Sequence, residues 1–214
     1  MTLKLNGSTS GSVSIDAPAS TAGGADRTLT LPDDSGNGTI LTTTSPKTGN
    51  IIQVQTGQVT AASTVSLGGA YNWTNLSAFN VQITPTATSS KILISGFFGG
   101  EADWEDHGVY FKLVRTVGGS GTDIAVGDAD GSRLRVTGVV QPGYHGNDQD
   151  STTAHCTIPN YLDSPSTTNQ ITYGVHMCAD GASKTWYQNR TVGTTDGASY
   201  ERLASWLTVM EVAG

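Results

Sequence analysis

The first seventy residues contain no aromatic side chain: all 15 Phe, Trp and Tyr of the 214-residue chain stand at Tyr71 or later. Both cysteines and all four histidines lie beyond residue 100. Aromatic rings supply much of the burial in an ordinary core, so the leading segment cannot easily build one alone. Charge is scarce too, at 14% of residues against the ~25% usual in soluble domains. The net charge of −7 excludes a partner held by phosphate neutralisation, which needs clustered Lys and Arg, so no nucleic acid is expected. No run approaches ~20 apolar residues, and no membrane insertion is expected. The opening MTLKLNGSTS lacks an apolar stretch of signal-peptide length, which predicts assembly in a cytoplasm. No P-loop, GxSxG elbow or HExxH occurs, so neither a cofactor nor an enzymatic role is expected.

What the chain has in abundance is Gly, Thr and Ser, with 27, 31 and 21 copies. Thr suits strands because its branched Cβ packs on a pleated surface, while Gly and Ser supply turns. An all-β fold follows.

Residues 1–50 read as an extended β stalk. Thr2-Leu3-Lys4-Leu5, Ser12-Val13-Ser14-Ile15 and Thr28-Leu29-Thr30-Leu31 alternate polar and apolar residues, as half-buried strands do. Pro18 and Pro32 interrupt pairing, Asp33 to Gly38 form a turn, and Thr39-Ile40-Leu41-Thr42 resumes the pattern. Short strands with one apolar face need a shared cover. Three copies about a common axis would give it; a disordered leader is the bland alternative.

Residues 51–214 read as an antiparallel β-sandwich of jelly-roll type. Strands are expected near 51–60, 63–67, 80–85, 91–98, 109–117, 122–127, 133–140, 152–158, 170–178, 185–192 and 203–212, with turn signals between most of them. In the fifth, Val109, Phe111 and Leu113 face in and Lys112 faces out. Ile92 to Phe98 and Trp206 to Val212 are apolar on both faces, Thr208 and Glu211 excepted. An antiparallel strand of that kind must be covered twice, once by its own sandwich and once by something else. A neighbouring subunit is the expected second cover, which makes Ile92, Ile94, Trp206, Val209 and Met210 the candidate residues of a trimer interface.

The leader phrase Thr28-Leu29-Thr30-Leu31-Pro32 with Asn37-Gly38-Thr39-Ile40-Leu41-Thr42-Thr43 resembles the stem that precedes many fibre heads of tailed bacteriophages, those of marine bacteria in particular. The head phrases Ser89-Ser90-Lys91-Ile92-Leu93, Tyr110 to Arg115, Val126 to Arg133, Tyr161-Leu162-Asp163-Ser164-Pro165 and Leu207 to Ala213 are similar to that family in order and spacing. The resemblance implies a homotrimeric tail-fibre or other virion structural protein, assembled in the host cytoplasm and displayed on the virion surface. Its N-terminal segment would join other virion proteins, and its head, like trimeric heads of the tumour-necrosis-factor and C1q type, would face a host-surface glycan or protein. The rival reading is a capsid decoration protein, head fibre or structural adaptor that binds no receptor.

Two loops and the Trp186-Tyr187 strand are the candidate receptor contacts. The first holds Trp104, Glu105, Asp106 and His107, an acidic cluster beside an aromatic platform; the paired carboxylates could also suggest sugar cleavage, but the chain has little room for a substrate groove. The second is Gly-rich and holds Tyr144, His145, Asn147 and Asp148. Asp128-Ala129-Asp130-Gly131 begins like a calcium loop but lacks the closing Glu, so a plain turn with Gly left-handed is expected. His155-Cys156 and His176-Met177-Cys178 could suggest zinc. Strand parity sends successive residues to opposite faces, so the four ligands cannot converge and two free thiols are expected.

Overall fold

The structure, a computed structural model, describes residues 3–6, 12–15, 46–103, 108–140, 153–181, 184–198 and 200–214, the first two stretches as backbone alone. Contacts divide the chain into two compact units, Met1–Ile40 and Leu41–Gly214. In the first, β1 (Leu3–Asn6) pairs antiparallel with β2 (Ser12–Ile15), Leu3 opposite Ile15 and Leu5 opposite Val13. The alternating phrases 28–31 and 39–42 lie outside the described residues.

The second unit holds β3 (Ile51–Val59), β4 (Ser63–Ser66), β5 (Thr74–Asn75), β6 (Val81–Ile83), β7 (Lys91–Ala102) and β8 (Val109–Val117). After these come β9 (Ser120–Ile124), β10 (Gly138–Val140), β11 (Ala154–Asp163), β12 (Ile171–Ala179), β13 (Thr185–Gln188) and β14 (Ser205–Val212). Every ladder is antiparallel. Several strands lie end to end against one partner, so the twelve act as eight ribbons. β3 with β4 is the first, β5 with β6 the second, β9 with β10 the fifth, and β13 with β14 the last.

The pairing then follows one rule. The first ribbon pairs with the eighth (β3 with β14, β4 with β13) and the second with the seventh (β5 and β6 with β12). The third pairs with the sixth (β7 with β11) and the fourth with the fifth (β8 with β9 and β10). β14 and β13 also pair with β7, and β12 with β8, which completes two sheets. This nested order is that of a jelly roll, two Greek keys wrapped into a double sheet. The chain ends beside the place where it enters the sandwich: Gly49 N–H donates to the Ala213 carbonyl and Ala213 N–H to that of Asn50.

Local sequence explains most boundaries. Gly118 and Gly119, both at positive φ, make the two-residue turn from β8 to β9. Asp130–Arg133 is a turn closed by Arg133 N–H on the Asp130 carbonyl with Gly131 at φ 55°, so the strand expected over 133–140 shortens to Gly138–Val140. β11 runs past Pro159 because the pairing steps over an extra residue between Ile158 and Tyr161; a bulge on an edge strand tolerates proline. β7 continues through Gly99-Gly100, where a Cβ on Gly100 would run into the Tyr187 carbonyl and the Trp186 ring.

Between the sheets, Phe98 meets Phe79, Phe111 and Trp186 edge to face, at ring-centre distances of 5.9, 5.1 and 6.3 Å. Ile92, Ile94, Ile171, Tyr173, Val175, Met177, Leu207 and Val209 fill the rest. Val109, Phe111 and Leu113 face this core as expected. Lys112 faces the other way but is buried: its ammonium sits 2.7 Å from Asp123 and 4.3 Å from the centre of the Trp73 ring.

Both cysteines are free and buried, Cys156 on the core side with Ala154 and Ile158, Cys178 on the side of β12 that carries His176. Burial pushes the Cys156 thiol up to about 12 and the Cys178 thiol up to about 11. The thiolate is the reactive form. Iodoacetamide at pH 8 should therefore leave the native protein unmodified by mass, and label both cysteines after unfolding without reductant. Native labelling, or two thiols blocked after unfolding, would contradict this placement.

Candidate functional site

The sheet formed by β3/β4, β13/β14, β7 and β11 has one face on the core and one turned outward. Parity assigns the residues. On β7, Ile92, Ile94 and Phe98 point in, while Leu93, Ser95 and Phe97 point out; on β14, Leu207 and Val209 point in, and Trp206, Thr208 and Met210 out. The trimer-interface expectation is therefore corrected for three residues. Ile92, Ile94 and Val209 have no exposed surface within the single chain, so they belong to its own core. Trp206 and Met210 are on the outward face as that expectation requires.

Register arranges the outward face in rows. Val54, Met210, Leu93 and Leu162 lie side by side across four strands, and Val54 and Leu162 remain 52% and 48% exposed. Ile51, 57% exposed, sits beyond Val54 at the start of β3. A hydroxyl row comes next: Thr56 and Thr208, bonded to each other at 2.9 Å, then Ser95. The following row is aromatic. Trp206, 43% exposed, stacks on Phe97 at 4.9 Å, and Phe97 stacks on His155 at 5.6 Å. Four residues separate Met210 from Trp206 on one strand, so the apolar and aromatic rows stand roughly 13 Å apart.

β3 forms the border of this face and differs from the other edges. It is nine residues long with no charged residue and no proline. Edge β11 carries His155, Pro159, Asp163 and the bulge; β9 carries Asp123; β4, β5, β6 and β10 have four residues or fewer. Natural sheets blunt edges by such means, and β3 has only a bulge at its start, where the pairing with β14 steps over Ile52 and leaves Gln53 to Val59 regular.

Beyond the aromatic row the chain covers its own sheet. Residues 189–204, joining β13 to β14, place Leu203 over Gly99 and set Val192 N–H on the Glu101 carboxylate at 2.6 Å. A buried polar network anchors this loop. Trp186 Nε1 donates to Gln188 Oε1 (2.8 Å), Gln188 Nε2 to the Gly99 carbonyl (3.1 Å), Ser205 Oγ to Asn189 Oδ1, and Asn189 Nδ2 to the Val59 carbonyl (2.7 Å). Asn189 sits at φ 59°, a left-handed conformation that Asn tolerates better than most residues. Its amide thereby ties β13, β14 and the β3–β4 corner together.

Two further polar clusters hold the sandwich rather than face a ligand. Arg115 Nη1 lies 2.8 and 3.0 Å from the two Asp163 oxygens, and Tyr173 Oη donates to Asp163 at 2.7 Å. At the core-facing end of β14, the buried Glu211 carboxylate accepts from Ser90 Oγ (2.6 Å), Gln53 Nε2 (2.6 Å), and Thr86 N–H and Oγ1 (2.7 Å each). Burial alone would raise its pKa, but the hydrogen bonds from Ser90, Gln53 and Thr86 outweigh it and hold the carboxyl below the ordinary carboxylate value. A carboxylate held down in the folded state lends stability above its unfolded pKa and loses it as pH falls through the folded one. Stability by urea titration should therefore fall on acidification through and below the ordinary glutamate range, and Glu211→Gln should flatten that limb. An unchanged acid limb in Glu211→Gln would count against the arrangement.

Trp104, Glu105, Asp106, His107, Tyr144, His145, Asn147 and Asp148 lie outside the described residues. The Trp186-Tyr187 expectation is corrected for Trp186, whose ring is buried in the core, while Tyr187 is half-buried beneath the Arg190 guanidinium. Among the described residues no group of three or more His, Cys, Asp or Glu could hold a metal ion, and no helix is long and apolar enough to cross a membrane.

No protein-family model matches the chain, and no curated protein does. Among solved structures, the chain is similar to the infectious bursal disease virus VP2 subviral particle, with a TM-score of 0.37 and 12% identity over 88% of this chain and 38% of that one. It is similar also to the structure of the Gt strain of that virus (TM-score 0.40, 11% identity, 98% and 46% covered) and to that of the Gx strain (0.38, 13%, 95% and 47%). The chain spans less than half the length of these solved chains.

Proposed function

We propose that this chain is a non-enzymatic virion protein, a homotrimeric fibre of a tailed bacteriophage whose N-terminal segment attaches to the particle and whose jelly roll meets the host surface. The observation that carries the reading is the outward face of the β3–β14–β7–β11 sheet. It presents an apolar row and a long edge strand with no charged residue and no proline, and solvent is a poor final environment for both. We assign the cover to further copies of the same chain, the edge of one subunit lying across the apolar row of the next. With a rotation of one third of a turn, such a head-to-tail contact would close a ring of three. The leader is short of core-forming residues and its phrases resemble fibre stems, which supports an attachment role for residues 1–45.

Jelly rolls occur in both capsid and lectin domains, so the fold alone does not choose an activity. The experiment is a truncation in the phage that encodes the chain. Removing residues 1–45 should leave a folded head that binds host cells and competes with infection, yet yield particles lacking the protein. A purified head that neither binds cells nor blocks infection at micromolar concentration, with the full chain located at capsid three-fold positions, would replace the fibre by a decoration protein.

A further inference from the structure

The loop over the end of the sheet encloses a cleft of about 220 Å³, room for about seven water molecules at bulk density. Arg190, Thr194, Asp196, Tyr200, Glu201 and Arg202 line it, and among the described residues no aliphatic side chain does. Two of these groups are fixed before any ligand arrives. The Arg190 guanidinium lies 4.5 Å from the centre of the Tyr187 ring and donates to the carbonyls of Thr191 (3.1 Å) and Val192 (3.2 Å). The Glu201 carboxylate accepts from Thr153 N–H at 3.0 Å.

The chemistry of the lining selects a ligand class. An apolar molecule would strand every polar group around it. Two arginines against one aspartate and one glutamate leave no net charge, so a phosphate or sulfate gains little. A neutral polyhydroxyl ring fits, because each hydroxyl donates to a carboxylate and accepts from a guanidinium or a threonine hydroxyl. The cleft also adjoins the aromatic row: Thr153, held by Glu201, stands two residues from His155, which opens the His155–Phe97–Trp206 stack. The exposed His155 ring is the end of the stack nearest the cleft, and a line of aromatic rings leading away from a hydroxyl-matched cleft suits the apolar C–H patches of further sugars.

We propose that the cleft and the adjoining stack form a binding site for a neutral oligosaccharide, one sugar seated between Asp196, Tyr200 and Arg202 and the following ones laid over His155 and Phe97 toward Trp206. The inference names a ligand class for the attachment head and rests on that reading. Three weak sites on one trimer would act together through effective concentration.

Saturation-transfer NMR on the full-length protein tests it, with maltotriose, mannotriose and galactotriose as neutral probes and trigalacturonate as the anionic one. At least one neutral trisaccharide should give a signal, weakened about tenfold or more in Asp196→Ala and in Trp206→Ala, with the assembly mass unchanged. Silence from every neutral probe at millimolar concentration overturns the site, as does a signal indifferent to both variants. Dissociation of the assembly in Trp206→Ala would make the aromatic row a subunit contact and also overturn it. Host-cell binding decides what else falls: protein that binds cells but no neutral sugar keeps the attachment reading, and protein that binds neither loses both.

Discussion

Asp163→Ala should cost about 3–5 kcal/mol, a third or more of the stability of an ordinary domain. The carboxylate closes β11 in one sheet, whereas Arg115 and Tyr173 stand opposite each other on β8 and β12 of the other. One buried anion therefore ties the two sheets together, accepting from a guanidinium and a phenol at 2.7 to 3.0 Å. The Tyr173 hydroxyl is pushed well above the ordinary tyrosine range by burial first and by its bond to Asp163 second, so it remains a donor at any working pH. Removing Asp163 leaves a cation and a hydroxyl with no acceptor in a site that water barely reaches, and a lost partner costs more than the pair itself contributes. Urea titration should show the midpoint fall with an unchanged slope. The double variant Asp163→Leu with Arg115→Met should recover much of the loss by replacing both charges with apolar groups. A loss under about 1 kcal/mol in Asp163→Ala would mean that the tie is solvated and does little.

If the proposed trimer is built on the outward row, Met210→Asp should give single chains where the wild type gives three, without unfolding them. Met210 lies in the centre of the outward apolar row, flanked by Val54 and Leu93. An aspartate there tolerates solvent in the single chain but would be buried unpaired at every subunit contact, at several kcal/mol each. Light scattering at micromolar concentration should give three times the chain mass for the wild type and the chain mass for the variant, with matching circular dichroism. Thr122→Asp, exposed on β9 of the other sheet, should leave the trimer intact. A wild-type chain already monomeric would refute the self-association directly.

Local pattern carried the strand reading a long way. β8 spans Val109–Val117, the range its alternation predicts, and the two-faced apolar strands β7 and β14 are the ones with a row turned outward. Parity also separates Cys156 from Cys178. Alternation alone does not say which of two apolar faces looks inward, and so Ile92, Ile94 and Val209 were expected at a contact when they form the core. Gly99 and Gly100 read as a break, yet the strand continues because only glycine lets the backbone pass beneath Leu203 and Trp186. Lys112 reads as solvated, but Trp73 from a loop and Asp123 from β9 cover it, and local periodicity places neither beside it.

Pairing order was the least legible part. The nested match joins first ribbon to eighth across more than a hundred residues and third to sixth across more than fifty, and no local signal reports it. The cleft at Arg190 and Arg202 was missed for a related reason. Its residues lie in an irregular stretch between two strands, and the polar anchors that shape it, Gln188, Asn189 and Ser205, look in sequence like ordinary turn formers. A polar Trp-x-Gln-Asn run closing a strand was the one available signal, since a tryptophan that buries its ring needs a partner for its N–H.

A cryo-EM map of the particle that carries this protein tests the central claim most directly. The account predicts three jelly rolls about one axis at the virion surface, each with the Val54–Met210–Leu93–Leu162 row against its neighbour and residues 1–45 leading toward the particle. Single jelly rolls whose apolar row faces solvent, or a particle with no density for the chain, would contradict it.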